Sequence, residues 1–145
     1  MQLTDNWFTA LSENEDGTFT FISGRTGIDE FINSHKLRER IEVVWTYQAD
    51  AKGLPADDAE AQRMEEVVDK LREVMEKDKL AIMTGVYTGQ GQREINFICR
   101  NVAAFGERLN NTLSVYPKLP IVIHAYDDPD NEEYRDLLEL KGEED

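Results

Sequence analysis

The sequence predicts an α+β fold in which helices cover one face of an antiparallel sheet. Three observations predict it: apolar residues alternate in several short segments, they recur at helical spacing in two longer ones, and 145 residues suit one domain. We therefore expect a single α+β domain over residues 1–140 and an acidic tail over residues 141–145.

The N-terminal region contributes one predicted strand and one short helix. Residues 18–23 follow the turn dipeptide Asp16-Gly17 and are rich in Phe and β-branched residues, which predicts a strand at a sheet edge. Thr26 is placed to cap a short helix. Three apolar residues share one side of that helix: Ile28, Phe31 and Ile32.

A strand and a long helix follow. Residues 40–48 alternate with period two, which predicts a strand with Ile41 and Val43 on one face. A loop that ends at Pro55 terminates this strand. The acidic residues after the proline suit the positive end of a helix dipole, which predicts a helix over residues 56–77. Its apolar residues recur at helical spacing: Met64, Val67, Val68, Leu71, Val74 and Met75.

The remaining elements continue the same alternation. Residues 80–87 and 95–100 are apolar segments around a glycine-containing loop, which predicts a hairpin. Asn101 is placed to cap a second long helix, and residues 119–126 form a further predicted strand. Asp128-Pro129 then predicts the start of a terminal helix.

From residue 40 to residue 126 the predicted order is strand, helix, strand, strand, helix, strand. Two such units that share one antiparallel sheet, with both helices on one face, form a ferredoxin-like two-layer sandwich. The N-terminal strand and the C-terminal helix would extend or cover that core.

The composition is strongly acidic, with 30 Asp and Glu against 16 Lys and Arg and a net charge of −14. Phosphate backbones repel a negative surface, so the charge disfavours nucleic-acid binding. Cys99 is the single cysteine, which excludes an intramolecular disulfide, and no run of about 18 apolar residues occurs. We predict a soluble cytoplasmic protein without a membrane span, metal or other cofactor.

The sheet face away from the two long helices is a candidate ligand site. If the alternation holds, it presents these side chains: Thr46, Asn96, Arg100, His124 and Tyr126. His124 could act as a general base or help to bind a small ligand, or it could be a structural histidine. Base stacking, as in RNA-binding sandwiches, is a weaker match because only one tyrosine and one arginine serve it.

Acidic residues form a candidate partner surface. The predicted helix over residues 56–77 is acidic, and residues 127–145 carry 10 acidic and 2 basic residues, a net charge of −8. The candidate surface consists of Asp57, Asp58, Glu65, Asp69, Asp127, Asp130 and Glu133. These residues are either an ordinary solvated face or a surface for a basic partner, such as the Arg-rich face of a nucleic-acid enzyme.

Three further features predict no site. The acids after residue 126 lack the fixed spacing of a calcium loop, and the loop from Gly89 to Arg93 lacks the Gly-Lys-Ser/Thr end of a phosphate-binding loop. Cys99 alternates with Ile95 and Phe97 on the predicted buried face, so we expect an unreactive thiol.

Several short motifs are spread along nearly the whole chain. They are Trp7, Lys52-Gly53-Leu54-Pro55, the stretch over residues 84–97, and Asp127-Asp128-Pro129 ahead of Tyr134. Together they resemble the bacterial family catalogued as domain of unknown function six-nine-five. Members often have a tryptophan between the aspartate-proline and the tyrosine, and this sequence has none there. The family has no established activity. Some relatives are similar to the acidic protein inhibitor of ribonuclease E, so the resemblance implies a sandwich fold and an acidic surface by analogy.

We therefore expect a noncatalytic interaction or regulatory domain whose acidic surface meets a basic protein partner. The alternative is a small-ligand-binding protein or hydrolase that uses the open sheet face around His124. The sequence leaves the oligomeric state open.

Overall fold

The computed structural model describes residues 2–141, which form six strands and four helices. The predicted acidic tail lies outside the described residues, apart from Lys141. The elements are β1 (Asn6–Glu13), β2 (Phe19–Thr26), α1 (Asp29–Asn33), β3 (Glu39–Thr46), α2 (Asp58–Glu76), β4 (Ala81–Gly89), β5 (Gln92–Cys99), α3 (Val102–Leu113), β6 (Ile121–Asp127) and α4 (Glu132–Glu139).

The strands form one antiparallel sheet in the order β1-β2-β4-β5-β3-β6. The predicted α+β class and the antiparallel sheet are confirmed. The predicted hairpin joins β4 to β5 through a tight turn, in which Gln90 and Gly91 both have positive φ angles of 52° and 83°. Such angles are typical of two-residue hairpin turns that match the twist of the strands.

One face of the sheet, here called the helical face, packs against α2 and α3. Alternate residues of β3 and β5 point into this core, where Ile41 and Phe97 are fully buried beneath Leu71 of α2 and Phe105 of α3. The rings of Phe97 and Phe105 meet edge to face at a centroid distance of 5.0 Å. Burial of these apolar stripes is what positions both helices.

The other face, here called the opposite face, has a second core that packs α1 and α4. Ile82 and Ile98 from the central strands contact this cluster, which also contains Phe31 of α1 and Leu137 of α4. The side chain of Leu137 occupies the space beside Gly85, where an added Cβ would lie 2.5 Å from Leu137 Cδ2. A larger side chain at this position would displace Leu137, so glycine permits the close approach of α4 to the sheet.

Each face is covered over only part of the sheet. On the helical face, α2 and α3 leave bare the end of the β1–β2 hairpin around Leu11 and Phe21, which are 56% and 49% exposed, whereas Arg25 near the other end of β2 contacts Glu76 of α2. On the opposite face, α1 and α4 cover β1, β2 and β4, whereas Val122 and Tyr126 of β6 remain 57% and 43% exposed. In the described part of the chain, no helix has the length and apolar character to cross a membrane.

The structure corrects three predictions for the terminal regions. The segment containing residues 18–23 is not an edge strand, because β2 pairs with β4 on one side and with the unpredicted β1 on the other. Thr26 ends β2 and does not cap α1, which has no side-chain cap. The last helix begins at Glu132, after Asn131 in the left-handed region, and the Asp128 carboxylate accepts the Glu132 N–H at 2.9 Å.

Candidate functional site

A cleft with a volume of about 570 Å³ lies between α2 and the bare part of the helical face. We call it the α2 cleft. Trp7 and Phe21 of the β1–β2 hairpin form one wall, Arg72 of α2 lies in the other, and Met83 and Val86 of β4 form the floor. The cleft exists because the hairpin extends the sheet past the core under α2, and α2 reaches the hairpin at Arg25.

A buried ion pair fixes the hairpin to α2 beside this cleft. The Arg25 guanidinium is 1% exposed and contacts both carboxylate oxygens of Glu76, at 3.0 and 3.1 Å. Its other three N–H groups donate to the carbonyls of Thr4 and Met83, so all five donors are used. The Trp7 ring lies over Arg25 at 4.8 Å. A buried charge this completely paired is a structural anchor rather than a ligand group.

The rim of the α2 cleft carries both signs of charge. Arg93 donates to Thr88 Oγ1 at 2.9 Å and pairs with Glu65 at 2.8 Å. Arg72 pairs with Asp5, which also accepts the indole N–H of Trp7 at 2.6 Å. The Trp7 hydrogen bond, with the Arg72 charge, holds the pKa of Asp5 below its usual value. Each of these two arginines is paired with one carboxylate, and Asp69 has no ion-pair partner within residues 2–141. The rim therefore carries one more negative than positive charge.

Four of the five predicted ligand-face residues share the opposite face, and three of them lie near one another. Strand pairing places Asn96, His124 and Tyr126 around Glu42 and Arg40, whereas Thr46 lies at the other end of β3, six residues from the partner of Tyr126. Arg100 is separate from them. It follows the end of β5, and its guanidinium donates to the carbonyls of Lys79 and Asp78 at 2.9 and 3.2 Å.

The part of the opposite face formed by β3, β5 and β6 is here called the polar half. Its main electrostatic feature is a pair of carboxyl groups that the sequence pattern did not indicate. Glu94 and Glu42 hydrogen-bond to each other. Burial, and then the Glu42 carboxylate, raises the pKa of Glu94 to about 7, while the hydrogen bond from Glu94 lowers the pKa of Glu42. At pH 7 Glu94 is therefore protonated in roughly half of the molecules, while Glu42 is ionised.

Arg40 connects the carboxyl pair to the predicted residues. Its Nη1 donates to Glu42 and to Asn96 Oδ1, both at 3.1 Å, and its guanidinium lies 4.2 Å from the centre of the Tyr126 ring. Nδ2 of the buried Asn96 has no hydrogen-bond partner within residues 2–141. His124 lies opposite Glu42 in the β3–β6 pairing. The polar half is thus largely an internally bonded network.

The acidic residues predicted as a partner surface form two patches instead of one. Asp57, Asp58, Glu65 and Asp69 belong to α2 or its cap, on the helical face. Asp127, Asp130 and Glu133 lie at the end of β6 and the start of α4, which packs on the opposite face. Asp57 accepts the Ala59 N–H at 3.0 Å, so it also has a structural role as the α2 cap.

Two further findings concern metals and thiols. Across residues 2–141 no cluster of three or more His, Cys, Asp or Glu side chains is arranged to hold a metal ion. Cys99 is fully buried, and burial raises the pKa of its thiol, which agrees with the unreactive cysteine predicted from sequence.

Comparison with known proteins identifies one family. The profile described as "Family of unknown function (DUF695)" matches residues 5–139. No curated protein and no solved structure matches the chain.

Proposed function

Because the chain belongs to DUF695, a family of unknown function, we propose a role from its own geometry: it is a noncatalytic interaction domain that binds a basic amphipathic helix in the α2 cleft. The basic protein partner expected from the sequence would then meet the acidic residues of α2 and its cap.

The observation that carries the proposal is an empty helix position on the helical face. Neighbouring strands lie about 4.8 Å apart and packed helices about 8–10 Å apart, so one helix covers about two strands. A six-stranded sheet therefore has room for three helices, whereas α2 and α3 occupy two positions. The remaining position lies over the part of β1 and β2 around Leu11 and Phe21, which are exposed as a cross-strand pair beyond the contact of Arg25 with α2.

The chemistry of the cleft favours a basic helix. Its floor and one wall are apolar. Its α2 wall carries Asp69 and Glu65, of which Glu65 pairs with Arg93, beside Arg72, which pairs with Asp5. A helix that places apolar residues against Phe21 would bring its flanking residues to those carboxylates. The net charge of −14 would accelerate the encounter with a basic partner, an effect that salt reduces.

A synthetic helix tests the proposal directly. The available part of β2, residues 19–23, extends about 17 Å, which about 11 helical residues match, and a longer peptide is needed for a stable isolated helix. The probe is therefore an 18-residue amphipathic peptide with leucines on one face and lysines on the other, compared with a peptide in which glutamates replace the lysines. We expect the lysine peptide to bind and to quench the fluorescence of Trp7, with affinity falling as salt rises. Equal binding of the glutamate peptide contradicts the proposal.

A variant separates cleft binding from general attraction between opposite charges. Phe21→Glu makes the protein more acidic but removes the apolar contact, so we expect at least tenfold weaker peptide binding. Val115→Glu is the matched control, because Val115 is 83% exposed and lies outside the cleft. Equal affinities of the two variants for the lysine peptide would contradict the α2 cleft as the site.

The strand order supports a proposal about the central unit of the fold. Strands β4, β5, β3 and β6 are adjacent in that order, and α2 and α3 share the helical-face core. This order is that of a ferredoxin-like sandwich, which we propose as the central unit, with the β1–β2 hairpin added at the β4 side. We also propose a cytoplasmic location, supported by the buried free thiol of Cys99.

A second candidate function is supported by the carboxyl pair. A small-ligand-binding or hydrolytic site around His124 would use Glu94 as proton donor and Glu42 as base, because two neighbouring carboxyl groups with separated pKa values can divide these roles. Turnover of nitrophenyl esters and glycosides by the protein, lost in Glu94→Gln with peptide binding in the α2 cleft retained, would support it. No turnover, or equal turnover by the variant, would remove it.

A further inference from the structure

Strand β6 ends the sheet with an open hydrogen-bonding edge. Residues 122–127 are all exposed, and the large apolar side chains lie on both faces of the strand: Val122 and Tyr126 on the opposite face and Ile123 on the helical face. From residue 121 to residue 126 there is no Asp, Glu, Lys or Arg. Edge strands are usually protected from further pairing by such charges, so this edge is unprotected.

The existing hydrogen bonds show which backbone groups face outward. The Thr46 N–H donates to Pro120 O, and the Asp128 N–H donates to Arg38 O. Because hydrogen-bonded pairs alternate in an antiparallel ladder, the even-numbered residues of β6 bond to β3. The N–H and C=O groups of Ile123, Ala125 and Asp127 therefore point away from the sheet.

We propose that β6 pairs with β6 of a second copy of this chain, antiparallel, about a twofold axis at His124. Successive side chains of a strand point to opposite faces of the sheet. A twofold axis normal to the sheet therefore keeps each face continuous only if an even-numbered residue lies opposite an even-numbered one, and an odd opposite an odd, so that the two residue numbers sum to an even value. Centring on His124 gives the sum 248 and pairs all seven residues of β6, whereas centres at neighbouring residues pair fewer.

The side chains and backbone are complementary in this register. Val122 of one copy lies beside Tyr126 of the other, so the two exposed apolar groups cover each other. Asp127 faces Ile121 and not the second Asp127, which avoids contact between like charges. The outward N–H groups of Ile123, Ala125 and Asp127 all find acceptors, while the Ile121 N–H already donates to Leu119 O at 2.9 Å.

The opposite edge of the sheet is less suited to such pairing. The exposed positions of β1 include Thr9, Ser12 and Glu13, with Leu11 as its exposed large apolar residue. The β6 contact is also independent of the α2 cleft, which lies at the other end of the sheet.

A cysteine pair tests the register. His124→Cys places two thiols directly opposite each other at a non-hydrogen-bonded position, where Cα atoms lie about 4.5 Å apart, within the range for a disulfide. We expect mild oxidation to link two chains, without reaction of the buried Cys99. Tyr126→Cys is the matched control, because its thiol would face Val122. Equal cross-linking of both variants, or none of His124→Cys, overturns the proposal.

A second measurement uses the natural side chains. Sedimentation of the unmodified protein should show a monomer–dimer equilibrium that shifts to dimer as concentration rises. Ala125→Pro removes one outward N–H per copy and no bond to β3, so we expect about 10- to 30-fold weaker dimerisation. Leu11→Lys on β1 is the control, and circular dichroism checks folding of both variants. A monomer at every concentration, or equal weakening by Leu11→Lys, overturns the proposal.

Salt distinguishes this contact from the proposed partner binding. Two copies that each carry −14 repel each other, so added salt should strengthen the dimer. Binding of the lysine peptide to the α2 cleft should weaken under the same change. A dimer that weakens with salt would contradict pairing through the uncharged β6 edge.

Discussion

The two faces of the sheet are each partly covered, at opposite ends, and their bare parts differ in chemistry. On the helical face the bare part over β1 and β2 is apolar, with Leu11 and Phe21 exposed. On the opposite face the bare part over β3 and β6 is polar, with Arg40 bonded to Glu42 and Asn96. Covering the first would bury apolar area and stabilise a complex, whereas the second is already satisfied internally. The comparison favours the helical face as the binding surface.

The largest predicted effect comes from removing the ion pair between Arg25 and Glu76, which holds the β1–β2 hairpin to α2. Arg25→Met removes the partner of Glu76 and leaves that carboxylate, with an 11% exposed side chain, beside the core. Removing one partner of a buried pair costs about 3–5 kcal/mol, so we expect a loss of that size in the free energy of unfolding. Urea unfolding measures it.

The double variant is the control for this anchor. Arg25→Met with Glu76→Met should recover part of the lost stability, because no charge stays buried alone, although the Met83 N–H and the carbonyls of Thr4 and Met83 lose their partners. A single variant with unchanged stability would contradict the anchor role.

The next effect concerns the covered part of the opposite face. Leu137→Ala removes a buried side chain that fills the space beside Gly85, so we expect a loss of about 2–4 kcal/mol in the free energy of unfolding. Leu140→Ala on the same segment is the control, since Leu140 is 48% exposed. Similar losses in both variants would mean that α4 does not pack as described.

The polar half should make stability depend on pH. Because the pKa of Glu94 is raised from 4.5 to about 7 in the folded chain, the folded state binds the extra proton. Its stabilising contribution is fully present below about pH 4.5 and is lost as pH rises through about 7, on the order of 1–2 kcal/mol because solvent screens this half-buried group.

Glu94→Gln isolates this contribution. The amide keeps a hydrogen-bond donor near Glu42 and does not titrate. The fall in the free energy of unfolding between roughly pH 5 and pH 8, a range that includes the pKa of Glu94 at about 7, should therefore be smaller than in the unmodified protein. Thermal unfolding across this range measures it. An unchanged pH profile in the variant would contradict the shared proton.

The smallest predicted effect concerns the ion pair between Asp5 and Arg72 at the rim of the α2 cleft. Asp5→Asn weakens an ion pair whose side chains are 64% and 31% exposed, so we expect less than about 1 kcal/mol of change in the free energy of unfolding. A double-mutant cycle with Arg72→Ala measures the pair itself. A coupling energy above about 2 kcal/mol would show that the rim is structural and not available to a partner.

Much of the central fold was predictable because its residues alternate regularly. Ile41, Val43 and Trp45 on β3 gave a clear period of two, and Leu71 and Met75 repeat at helical spacing. Strand β1 was not predicted, since polar Thr9 and Ser12 interrupt any run of β-favouring residues. Its pairing with β2 supplies the conformation that local preference does not.

The candidate sites were less predictable because they depend on long-range placement. Trp7 and Phe21 form the α2 cleft only because β2 joins the sheet beside β4, and no local pattern states which edge a hairpin extends. Arg100 has the predicted parity, but β5 ends at Cys99 and nearby carbonyls bind the guanidinium. Glu94 was overlooked because the predicted strand began one residue later.

The pairing of β2 with β4 has a consequence for synthesis on the ribosome. The hairpin ends at Thr26 and its sheet neighbour ends at Gly89, so roughly 60 residues separate the two. At about 5–20 residues per second the hairpin waits about 3–12 s for that neighbour. During this interval Phe8 and Ile22, which are buried in the finished protein, remain open to chaperones.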